Sequence, residues 1–248
     1  MAKKVRIDLH LVDQGHAASR DRAQRLIRAG QVLVADVVVD KPGTKIDPDL
    51  PLRLKGADHP YVSRGGLKLQ GALEDFSLSV EGFSCLDVGA STGGFTDCLL
   101  QRGAQHVVAV DVGTNQLAWK LRSDERVTSL EKTDIRALAS DDELQLESTP
   151  DLVVIDASFI SLRLILPAVV ALVGRSPKIL ALIKPQFEVG KDDVGRGGLV
   201  EDEGLRRGAV DTITGCLNDL GFRVVGISDS QLAGARSGNR EIFVLAEG

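Results

Sequence analysis

Cysteine is scarce in this chain of 248 residues: Cys85, Cys98 and Cys216 are odd in number, far apart and in no C-x-x-C pair. That pattern argues against a disulfide framework and leaves reduced core thiols in a cytoplasmic protein as the expectation. The four histidines, His10, His16, His59 and His106, are scattered without ligand spacing, so no metal is expected. Long apolar runs are missing too. The richest stretch, "DLVVIDASFISLRLILPAVVALVG", is broken by Asp156, Arg163 and Pro167, short of the ~20 apolar residues of a spanning helix. The opening "MAKKVRIDLHLVDQG" is interrupted by charge every few residues, unlike a secretion signal. What is present, 43% hydrophobic and 26% charged residues, is ordinary for a soluble globular protein. The length suits one sizeable α/β domain with a small companion.

The net charge of −5 hides an asymmetry. Residues 1–64 hold 12 Lys/Arg against 8 Asp/Glu, and residues 65–248 hold 18 against 27. A basic end on an acidic chain points toward nucleic acid, although a chance surface bias would look the same. Within that end, 5–14 reads as a short helix ended by Gly15. Ser19 is placed to cap a second helix that Gly30 closes. On the second helix Ala23, Leu26 and Ile27 share one arc, and Arg22, Arg25 and Arg28 another. Two short strands follow around Ala35-Asp36, then a turn at "DKPG" and a strand in "LPLRLKG". The stretch "SRDRAQRLIRAGQVLVADVVVDKPGTKI" resembles an S4-type RNA-binding domain. The resemblance implies contacts to structured RNA through phosphates and shape, with Arg6, Arg20, Arg22, Arg25, Arg28, Lys41 and Arg64 as candidates. The plainer alternative is that the arginine row is only a solvated helix face.

From residue 83 apolar strands alternate with helical segments: "SCLDVGA", "HVVAVDVG", "DLVVIDAS" and "KILALIKPQ" are near-continuous apolar strands. This pattern predicts a doubly wound, mostly parallel α/β sheet. The first strand runs into "LDVGASTGGF". There Gly89 permits a sharp turn, and Gly93 and Gly94 allow a ligand near the backbone at a helix start. Asp111 closes the second strand 22 residues later, where a carboxylate can bind ribose hydroxyls. The turn departs from G-x-G-x-x-G, which disfavours a nicotinamide dinucleotide. It resembles the motif by which methyltransferases hold S-adenosylmethionine; a plain structural turn is the alternative. Polar residues also stand at the strand ends. Asp156 ends one apolar strand, Lys184 another, and Glu241 opens the last. Sites in open α/β sheets lie at the carboxyl ends of parallel strands, and an antiparallel last strand would begin at that same edge.

The pieces "VSRGGLKLQGAL", "LDVGASTGGFTDCLL", "DVGTNQLAWKLR", "DASFISL", "KPQFEVGK" and "SGNREIF", in this order, resemble the hemolysin A (TlyA) family. Those ribosomal RNA ribose methyltransferases join an S4-type domain to an FtsJ-like catalytic domain. The resemblance implies a Rossmann-like class I methyltransferase fold with a seven-stranded sheet whose last strand is antiparallel. It implies an S4-type domain over 1–58, a linker over 59–66 and the catalytic domain over 67–248. The implied activity is cytidine 2′-O-methylation of 23S or 16S rRNA, with S-adenosylmethionine as cofactor and ribosomal subunits as partners. Lys68, Asp156, Lys184 and Glu241 match the family's Lys-Asp-Lys-Glu tetrad. Asp87, Gly89, Ala90, Ser91, Thr92, Gly93, Gly94 and Phe95 match the cofactor turn. Asp111 and Val112 fall at its ribose, Asp134 and Ile135 near its adenine, and Asp156 beside it.

On this reading Lys184 is the proton acceptor, which requires that it be neutral. Like-charge repulsion from Lys68 favours that; Asp156 and Glu241 oppose it and serve to orient. In "VSRGGLKL" (62–69), Gly65 and Gly66 are expected to give a joint its backbone freedom, while Lys68 begins a helix that reaches the site. Two rival functions remain: a membrane-active hemolysin, and an RNA-binding protein with a non-catalytic fold.

Overall fold

Short amphipathic segments fill the first sixty residues and longer apolar strands the rest, and the fold divides at that change. The computed structural model describes residues 4–17, 19–54, 59–139, 146, 148–234 and 238–248. By contacts the chain forms two units, Met1–Pro60 and Tyr61–Gly248.

In the first unit, β1 (Val5–Arg6) leads into α1 (Ile7–Asp13), and α2 spans Arg20–Arg28. The helix expected over 5–14 thus starts at Ile7, because Val5 and Arg6 pair with Ile46 and Lys45 of a distant strand. Ser19 Oγ accepts the Arg22 amide at 3.2 Å, and Gly30, at φ +65°, follows the end of α2. Three short strands form a sheet: β2 (Val32–Val34), β3 (Val37–Val39) and β5 (Leu52–Leu54), while β4 (Lys45–Ile46) is the partner of β1. Ala35 and Asp36 both take positive φ, 47° and 64°, the two-residue turn whose twist suits antiparallel strands. Ile7, Leu11, Ala23, Leu26, Ile27 and Val32 make the small core.

The second unit alternates as its sequence predicts. Its elements are α3 (Gly65–Asp75), β6 (Ser84–Val88), α4 (Gly94–Gln101), β7 (His106–Asp111), α5 (Trp119–Arg122), β8 (Val127–Glu131) and α6 (Ile135–Leu138). They continue as β9 (Leu152–Ile155), α7 (Leu162–Val173), β10 (Lys178–Ile183), α8 (Pro185–Glu188), α9 (Glu203–Asp219), β11 (Arg223–Asp229) and β12 (Ile242–Glu247). The seven strands lie in the order β11-β12-β10-β9-β6-β7-β8. The last strand, β12, runs antiparallel between β10 and β11; the strands from β10 across to β8 pair in parallel. In β9 Leu152 and Val154 face one apolar core, with Leu69, Leu73 and Leu99, and Val153 and Ile155 face the other, with Ile165, Leu166 and Ile213. Helices therefore cover both faces, which is why these strands read as unbroken apolar runs. Cys85 and Cys98 are buried, and burial pushes their thiols up to about 12 and about 11, far from a reactive thiolate.

Candidate functional site

Parallel strands that stop together leave their last residues on one rim. Here β6, β7, β9 and β10 deliver Gly89, Asp111, Asp156 and Lys184 to that rim, and β12, running the other way, begins there just after Glu241. A cleft of about 910 Å³ opens above it.

The glycine turn forms one wall. Asp87, fully buried at the end of β6, accepts from the amide of Thr96 at 2.9 Å and its hydroxyl at 2.6 Å, so one oxygen ties β6 to the first turn of α4. Its other oxygen, Oδ1, is buried and has no hydrogen-bond partner among the described residues. Burial pushes the Asp87 carboxyl up to about 7; the Thr96 bonds oppose the shift, and Asp156 and Asp111 add to it. Gly89 sits at φ +87°, and a Cβ there would lie 2.9 Å from the Asp156 carbonyl oxygen. Gly93, at φ +94°, leaves no room for a Cβ beside Leu121 and Leu117. Asp111 accepts from the Ser91 amide at 2.7 Å and the Gly113 amide at 2.6 Å, pinning the turn to the loop after β7.

Of the residues expected to hold a cofactor, Gly89, Ser91, Asp111, Val112, Asp134, Ile135 and Asp156 line the cleft. Ala90 and Phe95 are buried behind it, Gly93 and Gly94 are packing positions, and Asp87 and Thr92 stand outside the lining. Asp134 caps α6 through the Arg136 amide at 2.9 Å and is ion-paired with the Arg136 side chain, which holds its carboxyl below the usual range.

The four tetrad residues line the same cleft. Lys68 Nζ is ion-paired with Glu241 Oε2. Lys184, only 7% exposed, donates to Ser158 Oγ at 2.7 Å, and its Nζ lies 2.7 Å from Asp156 Oδ1. That second contact is an ion pair without hydrogen-bond alignment, since Asp156 Oδ1 accepts no hydrogen bond. The cleft thus holds two lysines, each already matched to a carboxylate, in nearly dry surroundings where such pairs are strongly oriented.

Sequence reasoning missed several cleft residues. Ser158 holds the Lys184 ammonium. Phe159, 79% exposed and at φ +67°, packs against Phe187 with ring centroids 5.3 Å apart. Gln116, Gln186, Gly197, Gly198 and Gly234 also line the cleft. Their motifs stand out in the sequence, but an uncharged residue in a loop or a single helical turn carries no periodicity that would single it out.

One expectation is corrected. Gly65 and Gly66 are the first two residues of α3, within the second unit, so both are helical, and Gly66 serves close packing rather than backbone freedom. A Cβ on Gly66 would lie 2.3 Å from the ring of Tyr61. One on Gly94 would meet Ser63 Oγ at 2.2 Å and the Gly66 nitrogen at 2.9 Å. The helix starts of α3 and α4 touch backbone to backbone, and that contact aims Lys68 at the cleft.

In the first unit the arginines differ from one another. Asp8 is fully buried and accepts both Arg6 Nε and Nη2 at 3.0 Å, Arg20 Nε at 2.9 Å and Gln24 Nε2 at 3.2 Å. Arg6 above all, with Arg20, holds the Asp8 carboxyl well below the usual carboxylate range, against the effect of burial. Arg6 and Arg20 are therefore part of the unit's framework. Arg25 pairs with Asp21 at 2.8 Å on the exposed helix face, Arg28 lies 3.4 Å from Gln24 Oε1, and Arg22 is half-buried. Lys41 is exposed, as is Arg64 at the start of α3 in the second unit.

Comparison with known proteins matches this geometry. Residues 61–248 match the model of the FtsJ-like methyltransferase family, and residues 5–50 that of the S4 domain. The chain is 47% identical, over 98% of its length and 90% of the other's, to the 16S/23S rRNA (cytidine-2'-O)-methyltransferase TlyA of Mycobacterium tuberculosis. It is 41% identical, over 96% of its length and 97% of the other's, to Hemolysin A of Brachyspira hyodysenteriae. A solved structure, named as a candidate hemolysin from Streptococcus thermophilus, superposes with a TM-score of 0.74 at 44% identity, covering 100% of this chain and 89% of that one.

Proposed function

The chain belongs to the FtsJ-like methyltransferases that carry an S4 domain, and on that premise we propose that it transfers a methyl group from S-adenosylmethionine to the 2′-hydroxyl of a cytidine ribose in ribosomal RNA. The observation that carries the reading is the convergence of Lys68, Asp156, Lys184 and Glu241 from four separate elements beside the glycine turn, in one cleft. The substrate is the one named for the M. tuberculosis relative. Its site of action would be the cytoplasm, where ribosomal subunits are.

The residues present fit the cofactor. The turn at Gly89 comes so close to Asp156 that only backbone fits between them, and Gly89 and Ser91 line the cleft. Asp111 would bind the ribose hydroxyls with the lone pairs its amide partners leave free, and Asp134 and Ile135 would border the adenine. Asp87, behind the turn, would keep it in shape by tying β6 to the first turn of α4. When bound, S-adenosylmethionine supplies a methyl group already activated on a sulfonium sulfur.

The tetrad then has a division of labour. Lys184, held by Ser158 and Asp156, is the group placed to take the proton of the 2′-hydroxyl, once its own ammonium proton has passed to solvent water. Lys68, kept in place by Glu241, sets a second ammonium on the same cleft, where it can hold the ribose. Asp156 and Glu241 orient the two lysines and the ribose, and much of the acceleration comes from that alignment. Arg22, Arg25, Arg28, Lys41 and Arg64 would meet RNA phosphates. A paired cytidine must first be turned out of its helix, at roughly a few kcal/mol.

Purified protein, labelled S-adenosylmethionine and ribosomal subunits should place label on RNA, and Lys184→Ala should abolish transfer while calorimetry still detects cofactor binding. Normal transfer by Lys184→Ala would overturn the assignment. The membrane-lytic reading draws on the names of some relatives. Among the described residues no helix is long and apolar enough to cross a membrane. A lysis assay on the same purified protein separates the two.

A further inference from the structure

Two loops far in sequence from the glycine turn contribute to the lining of the cleft, and one buried side chain joins them. Gly197 and Gly198, both at positive φ (74° and 82°), line the cleft within a tight turn closed by Gly195 N–H to the Leu199 carbonyl at 2.8 Å. The second loop leads from β11 into β12 and presents Glu241. Asn239, 1% exposed, spans the two: its Nδ2 donates to the Gly198 carbonyl at 2.7 Å and its Oδ1 accepts the Val200 amide at 2.8 Å. Its own carbonyl accepts from the Gly234 amide at 2.9 Å. A Cβ on Gly234 would lie 2.8 Å from Glu241 Oε1, so this loop packs directly on the carboxylate that pairs with Lys68.

We propose that Asn239 is a positioning residue for the transfer site: its amide locks the glycine rim at 195–200 to the segment that holds Glu241, and so fixes the wall of the cleft against which the RNA ribose is set. The inference rests on the methyl-transfer reading above. It requires a side chain that both donates and accepts at this reach. Asp keeps the acceptor but turns an oxygen toward the Gly198 carbonyl, and Ala removes both bonds. The effect falls on the RNA side of the cleft, because none of these contacts touches the glycine turn at 89–94.

The test compares wild type with Asn239→Asp, Asn239→Ala and Gly197→Ala. The last strains the rim at a positive φ with open space around it and leaves the amide untouched. Three quantities are read: amide hydrogen exchange at Val200, cofactor affinity by calorimetry, and kcat and KM with ribosomal subunits. In Asn239→Ala Val200 exchange should accelerate by about tenfold or more as its bond is lost, and in Asn239→Asp, which keeps that acceptor and loses only the bond to the Gly198 carbonyl, by less. In all three variants kcat/KM for RNA should fall, by roughly tenfold or more for the Asn239 pair, with cofactor affinity within about twofold of wild type. Unchanged Val200 exchange in Asn239→Ala, or wild-type kcat and KM in either Asn239 variant, would overturn the proposal. So would a joint collapse of cofactor binding and cooperative melting, which would make Asn239 an ordinary core residue. Wild-type protein that transfers no methyl would instead overturn the methyl-transfer reading, and Val200 exchange would still decide whether the lock exists.

Discussion

Lys68 and Glu241 stand 173 positions apart in the chain and form an ion pair with both side chains nearly out of water, 11% and 4% exposed. A pair this dry contributes little net stability, but removing one partner strands the other charge. Lys68→Met and Glu241→Gln should each lower stability by about 3 kcal/mol, and the double variant by less than the sum. Urea unfolding of the four proteins measures this. Methyl transfer should be lost in all three variants, with cofactor binding kept.

Gly66 in α3 and Gly94 at the start of α4 are each required by their neighbours. Gly66→Ala and Gly94→Ala should each cost about 1–3 kcal/mol, because backbone and the Tyr61 ring must shift to admit a methyl group. Gly208→Ala, inside α9 with nothing within 4 Å, should be neutral or stabilise by up to about 1 kcal/mol. Thermal melting separates the two classes. A flexible joint at 65–66 would give the opposite ranking, with Gly66→Ala nearly neutral.

Asp8 should dominate the acid sensitivity of the first unit. Its carboxyl is depressed in the folded state, so its stabilising effect is complete above the unfolded value of about 3.9 and is lost as pH falls through the folded one. Asp8→Asn removes the charge that gathers Arg6 and Arg20 and should cost about 2–4 kcal/mol at pH 7. Amide exchange in α1 and α2, followed at pH 7 and pH 3, should show the variant already loosened at pH 7.

Asp87 has the opposite sign. Its carboxyl is raised to about 7, so the folded state binds the extra proton, and wild-type stability from this group declines as pH rises from about 4 toward 7. Asp87→Asn lacks that decline, so its melting temperature relative to wild type should be higher at pH 8 than at pH 5. Cofactor affinity should fall in the same variant. A pH-independent difference in melting would show that Asp87 does not titrate there.

Much of this was legible in the sequence, for a physical reason. A parallel strand buried on both faces must be apolar until it leaves the sheet, so a charge that ends such a run marks the rim; Asp156 and Lys184 were found that way. Gly89 was visible because a strand entering a helix through glycine needs the turn. The role of Gly66 was hidden, since the ring that excludes a side chain there belongs to Tyr61, and its tight neighbour Gly94 lies 28 positions on. Arg6 and Arg20 looked like free cations because nothing local reveals that Asp8 is buried between them. Phe159 and Asn239 act through loops, whose shape is set by the whole fold.

The place of β12 in the sheet bears on the order in which the molecule forms. It adds to β10 on one side and β11 on the other, with Ile183 opposite Ile242. β11 and β12 are neighbours in sequence and pair antiparallel, so they can close first as a local hairpin, on a timescale of roughly microseconds. Docking of that hairpin on β10 is a long-range event and therefore the slower one. The same event sets Glu241 on the rim against Lys68. Burst-phase and slow amide protection during refolding should divide at this boundary, and competence for transfer should appear with the slow phase. An early intermediate that already holds β6, β7, β9 and β10 would keep the glycine turn yet have no partner for Lys68.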